Sequence, residues 1–209
     1  MGQEVELKLL LGSNGREQLL QHPLLVNHAS ETQQLNNTYF DTKEQALSKA
    51  RCALRIRKKG DSYIQTLKTR GQSLAGLSQR GEWEWPVEAV ALQTDLLSDD
   101  IWPADIDKSE LQAVFNTDFS RTQWLVEFQG AEIELVLDEG EILAGNKRGL
   151  LNEVELELIK GSAADVFALA LTLSESVPLI ISDINKAERG YRLHNDGNYR
   201  IADTSSLIP

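Results

Sequence analysis

Charged and apolar residues alternate along several short segments of this chain. The first segment, residues 4–9, reads Glu-Val-Glu-Leu-Lys-Leu, and the same pattern returns at residues 55–57, 80–85, 132–135 and 153–157. Side chains on a β-strand point alternately to opposite faces. Each segment therefore predicts a strand with one charged face and one apolar face.

Turn and capping residues between these segments predict the other elements. The predicted strands cover residues 4–11, 37–41, 53–59, 63–69, 79–87, 119–129, 131–139 and 152–159. The predicted helices cover residues 16–21, 92–97, 109–115 and 163–176, and a last helix begins near residue 182. Eight antiparallel strands with helices outside favour an α+β fold whose sheet closes into an eight-stranded β-barrel.

The alternation leaves open which face of the barrel is charged. Most barrels bury their apolar residues, which would place the charges in water. Two features favour a charged interior instead. Glu153, Glu155 and Glu157 put three like charges on one face of one strand, where they repel each other. The amphipathic helix at 163–176 also needs an apolar sheet surface to cover. We therefore predict a tunnel lined by acids and bases.

The composition and net charge of the chain argue against some classes of function. The chain has 209 residues, 41% of them hydrophobic, a net charge of −11 and a single cysteine, Cys52. The negative charge argues against nucleic-acid binding, which needs a basic surface. No apolar run is long enough to span a membrane, and we expect no signal peptide before the first strand. We expect a cytoplasmic protein, monomeric because a closed barrel leaves no sheet edge for a partner.

The basic residues are concentrated in one part of the sequence. Nine Lys or Arg and one Asp lie between Lys49 and Arg80, so a local anion site is compatible with the acidic whole. Arg and Lys bind phosphate oxygens, and clustered carboxylates suit Mg2+ or Mn2+. Cations, carboxylates and metal ions in one narrow space are what phosphoryl transfer requires.

A series of short motifs, in order along nearly the whole chain, resembles the CYTH or triphosphate tunnel metalloenzyme superfamily. They are the ExExK signature Glu4-Val5-Glu6-Leu7-Lys8, then Tyr39-Phe40-Asp41-Thr42, Leu54-Arg55-Ile56-Arg57, Thr66-Leu67-Lys68, Arg121, Asp138-Glu139-Gly140, Glu153-Val154-Glu155, and Lys186 with Arg189-Gly190-Tyr191. ExExK alone is a weak signal, whereas the ordered set is specific. Within the superfamily, the chain is most similar to the amino-terminal catalytic part of bacterial inorganic triphosphatases that carry a second, helical CHAD domain.

The resemblance implies a tunnel that binds a triphosphate together with divalent ions, and it assigns roles to particular residues. The implied metal ligands are Glu4, Glu6, Asp138, Glu153 and Glu155. The implied phosphate-binding residues are Lys8, Arg55, Arg57, Lys68, Arg80, Arg121, Lys186 and Arg189. The implied catalytic residues are Glu4, Glu6, Lys8 and Glu84, with Glu84 close to water or metal.

The expected reaction is hydrolysis of inorganic triphosphate to pyrophosphate and phosphate by a metal-activated water. An adenylate cyclase, a nucleoside or thiamine triphosphatase, and a non-catalytic polyphosphate-binding module on the same fold remain alternatives. We expect residues 1–200 to form the tunnel domain. The aperiodic residues 201–209 are expected to form a tail, as a linker to a second domain would.

Overall fold

The computed structural model describes residues 2–74 and 77–196. Within these residues the strands are β1 Gly2–Leu11, β2 Glu31–Asp41, β3 Ala53–Lys59, β4 Ser62–Lys68, β5 Gln72–Leu74, β6 Leu77–Val87, β7 Gln112–Phe128, β8 Ala131–Ala144, β9 Lys147–Lys160 and β10 Leu179–Ile181. The helices are α1 Gly15–Leu20, α2 Ala46–Lys49, α3 Ala163–Ser174 and α4 Lys186–Asp196.

Eight of the strands close into a barrel. Neighbouring strands follow the order β1-β9-β8-β7-β2-β3-β4-β6, and β6 pairs with β1 to complete the ring. Every pairing is antiparallel, and Glu4 lies opposite Arg80 in the closing pair. The short strands β5 and β10 add to β6 and β1. The predicted α+β fold with a closed eight-stranded antiparallel barrel is confirmed.

The apolar face of the alternating strands points outward and is covered. Leu7 of β1, Leu135 of β8 and Leu156 of β9 are buried in one cluster with Val166 and Leu169 of α3. A second cluster joins the outer faces of β3 and β4 to Leu47 of α2 and to the connection that precedes β7. A capping box at Ser162 and Asp165 fixes the start of α3. The hydrophobic effect thus holds the helices outside and leaves the charged face inside.

Helix α4 packs against inward-facing residues at one end of the barrel. Phe115 and Phe119 of β7, which belong to the same alternating set as Arg121, form a buried cluster with Tyr191. A Cβ added at Gly190 would lie 2.0 Å from the Phe115 ring. The helix therefore approaches β7 closely because residue 190 is glycine, and its first residues, Lys186 and Ala187, line the barrel cavity.

Two predicted helices are wrong. Residues 109–115 were expected to be helical, but one 3-10 turn, Lys108–Glu110, leads into the 17-residue strand β7. Pairing with both β2 and β8 and burial of alternate residues such as Phe115 override the local helical pattern. Residues 92–97 form only the 3-10 turn Thr94–Leu96.

Some element boundaries also differ from the prediction. Strand β2 begins at Glu31 rather than at residue 37, and the last helix begins at Lys186 rather than near residue 182. The predicted tail at 201–209 lies outside the described residues. Within residues 2–74 and 77–196, no helix combines the length and the apolar character needed to cross a membrane.

Candidate active site

The barrel encloses a polar cavity of about 300 Å³, here called the tunnel. All eight barrel strands and the start of α4 contribute side chains to its wall. The predicted charged interior is therefore confirmed: Glu4, Glu6 and Lys8 are at most 8% exposed and face this cavity, not bulk solvent.

Most of the residues predicted for the site meet in the tunnel. Its wall includes Glu4, Glu6, Lys8, Arg55, Arg57, Lys68, Arg80, Glu84, Arg121, Glu155 and Lys186. The other three, Asp138, Glu153 and Arg189, lie behind this wall and are buried. The roles assigned to these residues stay predictions, because their positions alone do not test them.

Buried acids and bases in the tunnel wall and directly behind it form an ion network. Its centre is Asp138, which is fully buried and accepts a two-pronged hydrogen bond from Arg121, at 2.8 and 2.7 Å. The Lys186 ammonium lies 2.7 Å from the same carboxylate. Burial raises the pKa of Asp138, but Lys186 and Arg121 outweigh it and the net pKa is lowered. Asp138 is therefore held as a carboxylate whose charge is already matched.

Glu155 and Glu153 extend this network. Glu155 accepts hydrogen bonds from Lys8 at 2.9 Å, Lys186 at 2.6 Å and Arg121 at 2.9 Å. Burial raises the pKa of Glu155, but Lys186, Lys8 and Arg121 bring it well below its usual value. Glu153 is fully buried, forms an ion pair with Lys186 and accepts from Arg189 at 2.9 Å.

A second group of ion pairs surrounds Glu4. Its carboxylate accepts hydrogen bonds from Lys68 at 2.6 Å and from Arg80 at 2.9 Å. Burial raises the pKa of Glu4, but the two cations lower it below its usual value. Lys68 also lies 3.3 Å from Glu82, and Glu84 accepts from the Thr66 hydroxyl at 3.2 Å.

A row of three acids crosses three neighbouring strands without a matching row of bases. Glu6 of β1 is directly paired with Glu157 of β9, and Glu157 is directly paired with Glu134 of β8. All three line the tunnel. Burial and the nearby Glu4, opposed in part by Lys68, raise the pKa of Glu157 to about 7. Lys8 donates to Glu6 at 3.3 Å, and within the described residues no other cation forms an ion pair with this acid row, so its negative charge is compensated only in part.

Two arginines on β3, Arg55 and Arg57, carry positive charge that nearby carboxylates compensate only in part. In the eight-strand ring β3 lies four strands from β9, on the far side of the tunnel. Arg57 donates to the Asn37 amide oxygen at 2.8 Å, and none of the described carboxylates forms an ion pair with it. Burial, with Arg55 and Arg121 nearby, lowers the pKa of Arg57 to about 9. The Nε of Arg55 is buried without a hydrogen-bond partner among the described atoms.

Two sets of carboxylates are therefore candidates for a metal site. Oxygen atoms of Asp138, Glu153 and Glu155 lie within 4.8 Å of one another, which brings three predicted metal ligands together. Four cations already pair with that set. The acid row also offers carboxylate oxygens, which hard divalent ions prefer as ligands, and fewer cations of the protein lie beside it.

Sequence reasoning missed several wall residues. Glu157, Glu134 and Tyr39 line the tunnel but were not predicted as site residues. The run of like charges at 153, 155 and 157 was the available signal for Glu157. Nothing in the sequence showed that Glu157 pairs with Glu6, because strand register follows from the closed barrel.

Comparison with known proteins identifies the family. Residues 2–191 match the family model described as CYTH domain. The chain belongs to this family, as the ordered motifs had indicated.

A curated relative from Haemophilus influenzae, named inorganic triphosphatase, is 37% identical over 197 residues. The match covers 92% of this chain and 55% of the relative. The chain thus spans about half the length of that protein.

Solved structures show the same fold. A Hippeastrum protein, described as an adenylyl cyclase candidate with a dominant triphosphatase activity, aligns with a TM-score of 0.67 at 22% identity, over 95% of this chain and 98% of that one. A candidate adenylate cyclase from Bacillus halodurans aligns with a TM-score of 0.56 at 23% identity, over 90% and 98%. At these identities the likeness establishes the fold alone.

Proposed function

We propose that this chain is a metal-dependent hydrolase that converts inorganic triphosphate to pyrophosphate and phosphate inside the tunnel. The observation that carries the proposal is the opposition of the acid row (Glu6, Glu157 and Glu134) to Arg55 and Arg57 across the tunnel. An elongated anion with bound cations can pair with both sides of the tunnel: the anion with the arginines, and its cations with the acid row. The name of the Haemophilus relative supports the same substrate.

The acid row is our proposed metal site, with Glu6 and Glu157 as central ligands and Glu4 beside them. Like charges at directly paired positions are destabilising unless a cation lies between them. Mg2+ or Mn2+ fits this all-oxygen set. When bound, such an ion neutralises phosphate oxygens and makes water a better nucleophile. In this proposal Asp138 and Glu153 hold bases in place and do not bind the metal.

The bases of the tunnel bind and orient the phosphate chain. Arg57 has no carboxylate partner among the described residues, and Arg55 has only Glu82, at 3.8 Å, while its Nε has no hydrogen-bond partner there. A phosphate oxygen therefore adds a close partner to each guanidinium. Lys8, Arg121 and Lys186 are held by Asp138 and Glu155, which fixes their ammonium and guanidinium groups before substrate arrives. Such preorganised donors stabilise the charge that spreads over the transferred phosphoryl group.

Glu84 remains a candidate for orienting water. Its carboxylate faces the tunnel and accepts one hydrogen bond, from Thr66. A carboxylate with remaining acceptor capacity can position a water molecule for in-line attack. Glu84→Gln should lower the turnover rate more than it weakens triphosphate binding.

The proposal is tested by measuring products from several substrates in parallel. Phosphate and pyrophosphate are quantified after incubation with triphosphate, ATP and thiamine triphosphate in the presence of Mg2+ or Mn2+, and cyclic AMP is measured in the ATP reaction. We expect the highest kcat/KM with inorganic triphosphate. Formation of cyclic AMP and pyrophosphate would establish a cyclase. A higher kcat/KM with ATP or thiamine triphosphate would identify that compound as the substrate. Binding without turnover would indicate a polyphosphate-binding module.

A further inference from the structure

Two motifs from the sequence, at residues 39–42 and 189–191, meet in a contact that the site description does not use. The Tyr191 hydroxyl of α4 donates to Oδ2 of Asp41, at the end of β2, at 2.7 Å. Both residues are buried, and Asp41 is fully inaccessible. Burial and the neighbouring Asp41 raise the pKa of Tyr191, so this phenol keeps its proton and acts as a donor.

Asp41 is itself fixed by the backbone around it. Its Oδ1 accepts from the amides of Thr42 at 2.7 Å and Leu47 at 2.8 Å, and its Oδ2 accepts from the amide of Ser48 at 3.0 Å. These bonds tie the carboxylate to the first turn of α2. The acceptor offered to Tyr191 is therefore rigid and cannot follow α4 if that helix moves.

Helix α4 packs on β7, β8 and β9 along one side. Two contacts tie it to the segment around α2: the bond from Tyr191 to Asp41, and a pair of side-chain amide bonds between Asn195 and Gln45 at 2.6 and 3.0 Å. The Tyr191 ring meets Phe115 edge-on, with ring centres 5.1 Å apart, and Phe115 stacks on Tyr39 at 4.6 Å. On another side of α4 a cavity of about 500 Å³ lies between Ala187 and the segment from Ser48 to Ala53. Ala187, Glu188 and Tyr191 of α4 line this cavity, so that part of the helix is not closely packed on that side.

Two bases of α4 lie one turn apart: Lys186 lines the tunnel, and Arg189 is buried behind its wall. Lys186 contacts Asp138 and Glu155, and Arg189 contacts Glu153. Tyr191 follows Arg189 by two residues, so the bond to Asp41 restrains the helix next to these bases. Binding groups need to be held within about 0.5 Å of their productive geometry.

We propose that Asp41 and Tyr191 form a latch that holds α4 against the barrel, and so positions Lys186 in the tunnel wall for the phosphate chain and Arg189 on Glu153 behind it. Asp41 and Tyr191 are positioning residues: they act on the substrate only through α4. As a statement about substrate binding, this inference rests on the proposed function.

The test removes one hydroxyl from the latch. Tyr191→Phe keeps the ring packed on Phe115 and should raise KM for triphosphate about tenfold, as expected for a lost hydrogen bond to a charged group. Because Lys186 contacts the phosphate chain in the bound substrate as well as in the transition state, its displacement should act mainly on KM, and kcat should change by less than about twofold. Asp41→Asn replaces one acceptor oxygen with an NH2 group, which cannot accept the hydrogen bonds made there, and should act in the same direction.

A matched control separates positioning from a general loss of stability. Trp102→Phe removes another buried hydrogen bond, from the indole nitrogen to the Ile106 carbonyl at 2.7 Å, in the outer cluster away from α4. It should lower the melting temperature without changing KM. An equal rise of KM in Trp102→Phe, or an unchanged KM in Tyr191→Phe, would overturn the latch.

A double-mutant cycle tests whether the latch acts through the bases of α4. In an Arg189→Met background, Tyr191→Phe should raise KM by less than about threefold, because part of what the latch positions is already absent. Full additivity of the two effects contradicts the proposal. If the double variant does not fold, the comparison of Tyr191→Phe and Asp41→Asn with Trp102→Phe decides.

Hydrogen exchange tests the latch without substrate and so separates its failure from failure of the proposed function. Amides of α4 should exchange faster in Tyr191→Phe than in the wild type, while amides of β8 and β9 keep their protection. Unchanged α4 exchange refutes the latch even if triphosphate is hydrolysed. Absence of triphosphate binding by the wild type refutes the proposed function and leaves the exchange result to decide the latch.

Discussion

Glu6 of β1 and Glu157 of β9 are directly paired across neighbouring strands, and both carboxylates face the tunnel. A like-charged pair at this position costs stability in the free protein. Glu134 extends the same row on β8. The sheet thus keeps an unfavourable charge arrangement where a divalent cation would make it favourable, as is typical of functional sites.

Removing one charge from the acid row should stabilise the free protein and weaken metal binding. We expect Glu157→Gln to raise the free energy of unfolding by about 1 kcal/mol, because the repulsion with Glu6 and Glu4 is relieved. Mn2+ affinity, measured by calorimetry in the presence of triphosphate, should fall at least about tenfold. Glu141→Gln, on the exposed surface, is the control and should leave both quantities unchanged. Lower stability together with full metal affinity would contradict the assignment.

Removing a charge from the buried ion network around Asp138 should instead destabilise the protein. Asp138→Asn leaves Arg121 and Lys186 without their shared carboxylate in a fully buried position, which should cost about 3 kcal/mol of stability. Urea denaturation measures the loss. A neutral or stabilising effect would show that Asp138 carries excess negative charge, and the metal site would then belong there.

Removing the charge of Arg57 should stabilise the free protein, as removing a charge from the acid row should. Replacing Arg57 with methionine removes a partly buried cation crowded by Arg55 and Arg121, so the free protein should gain up to about 1 kcal/mol, less the lost bond to Asn37. Thermal stabilisation by triphosphate with Mg2+ should fall strongly, because a phosphate partner is gone. Arg148→Met, in an exposed pair with Glu141, serves as the control. Destabilisation of the free protein with an undiminished ligand effect would remove Arg57 from the substrate site.

Glu6→Ala tests the catalytic role of the ExExK segment. This change should abolish phosphate release from triphosphate while the far-ultraviolet circular dichroism spectrum stays that of the wild type, because Glu6 faces the tunnel and not the apolar cluster under α3. Turnover at more than about a tenth of the wild-type rate with Mg2+ or Mn2+ would count against the role.

Local patterns in the sequence were sufficient to predict which way the strands face. The period of two at residues 4–9 and 153–157 separates charged from apolar side chains whatever the rest of the fold does, and the helix at 163–176 requires an apolar sheet to cover. Similar local reasoning failed at residues 109–115, where pairing on both sides makes Phe115 part of a long strand. That pairing is a non-local property.

The detailed site could be predicted only in part, because it depends on register. The sequence contains both Glu6 and Glu157, yet only closure of the barrel pairs them. In the same way, the sequence did not show that Asp138, an expected metal ligand by resemblance, also contacts Arg121 and Lys186; its role as a ligand stays a prediction. The contact of Tyr191 with Asp41 joins residues 150 positions apart, which no local pattern predicts.

The position of the metal tests the central claim most directly. Crystals grown with Mn2+ and a triphosphate analogue that resists hydrolysis would show the ion by its anomalous scattering. We predict a peak bonded to the carboxylates of Glu6 and Glu157, with the phosphate chain extending to Arg55 and Arg57. A peak at Asp138 and Glu153, or none inside the barrel, would contradict the account.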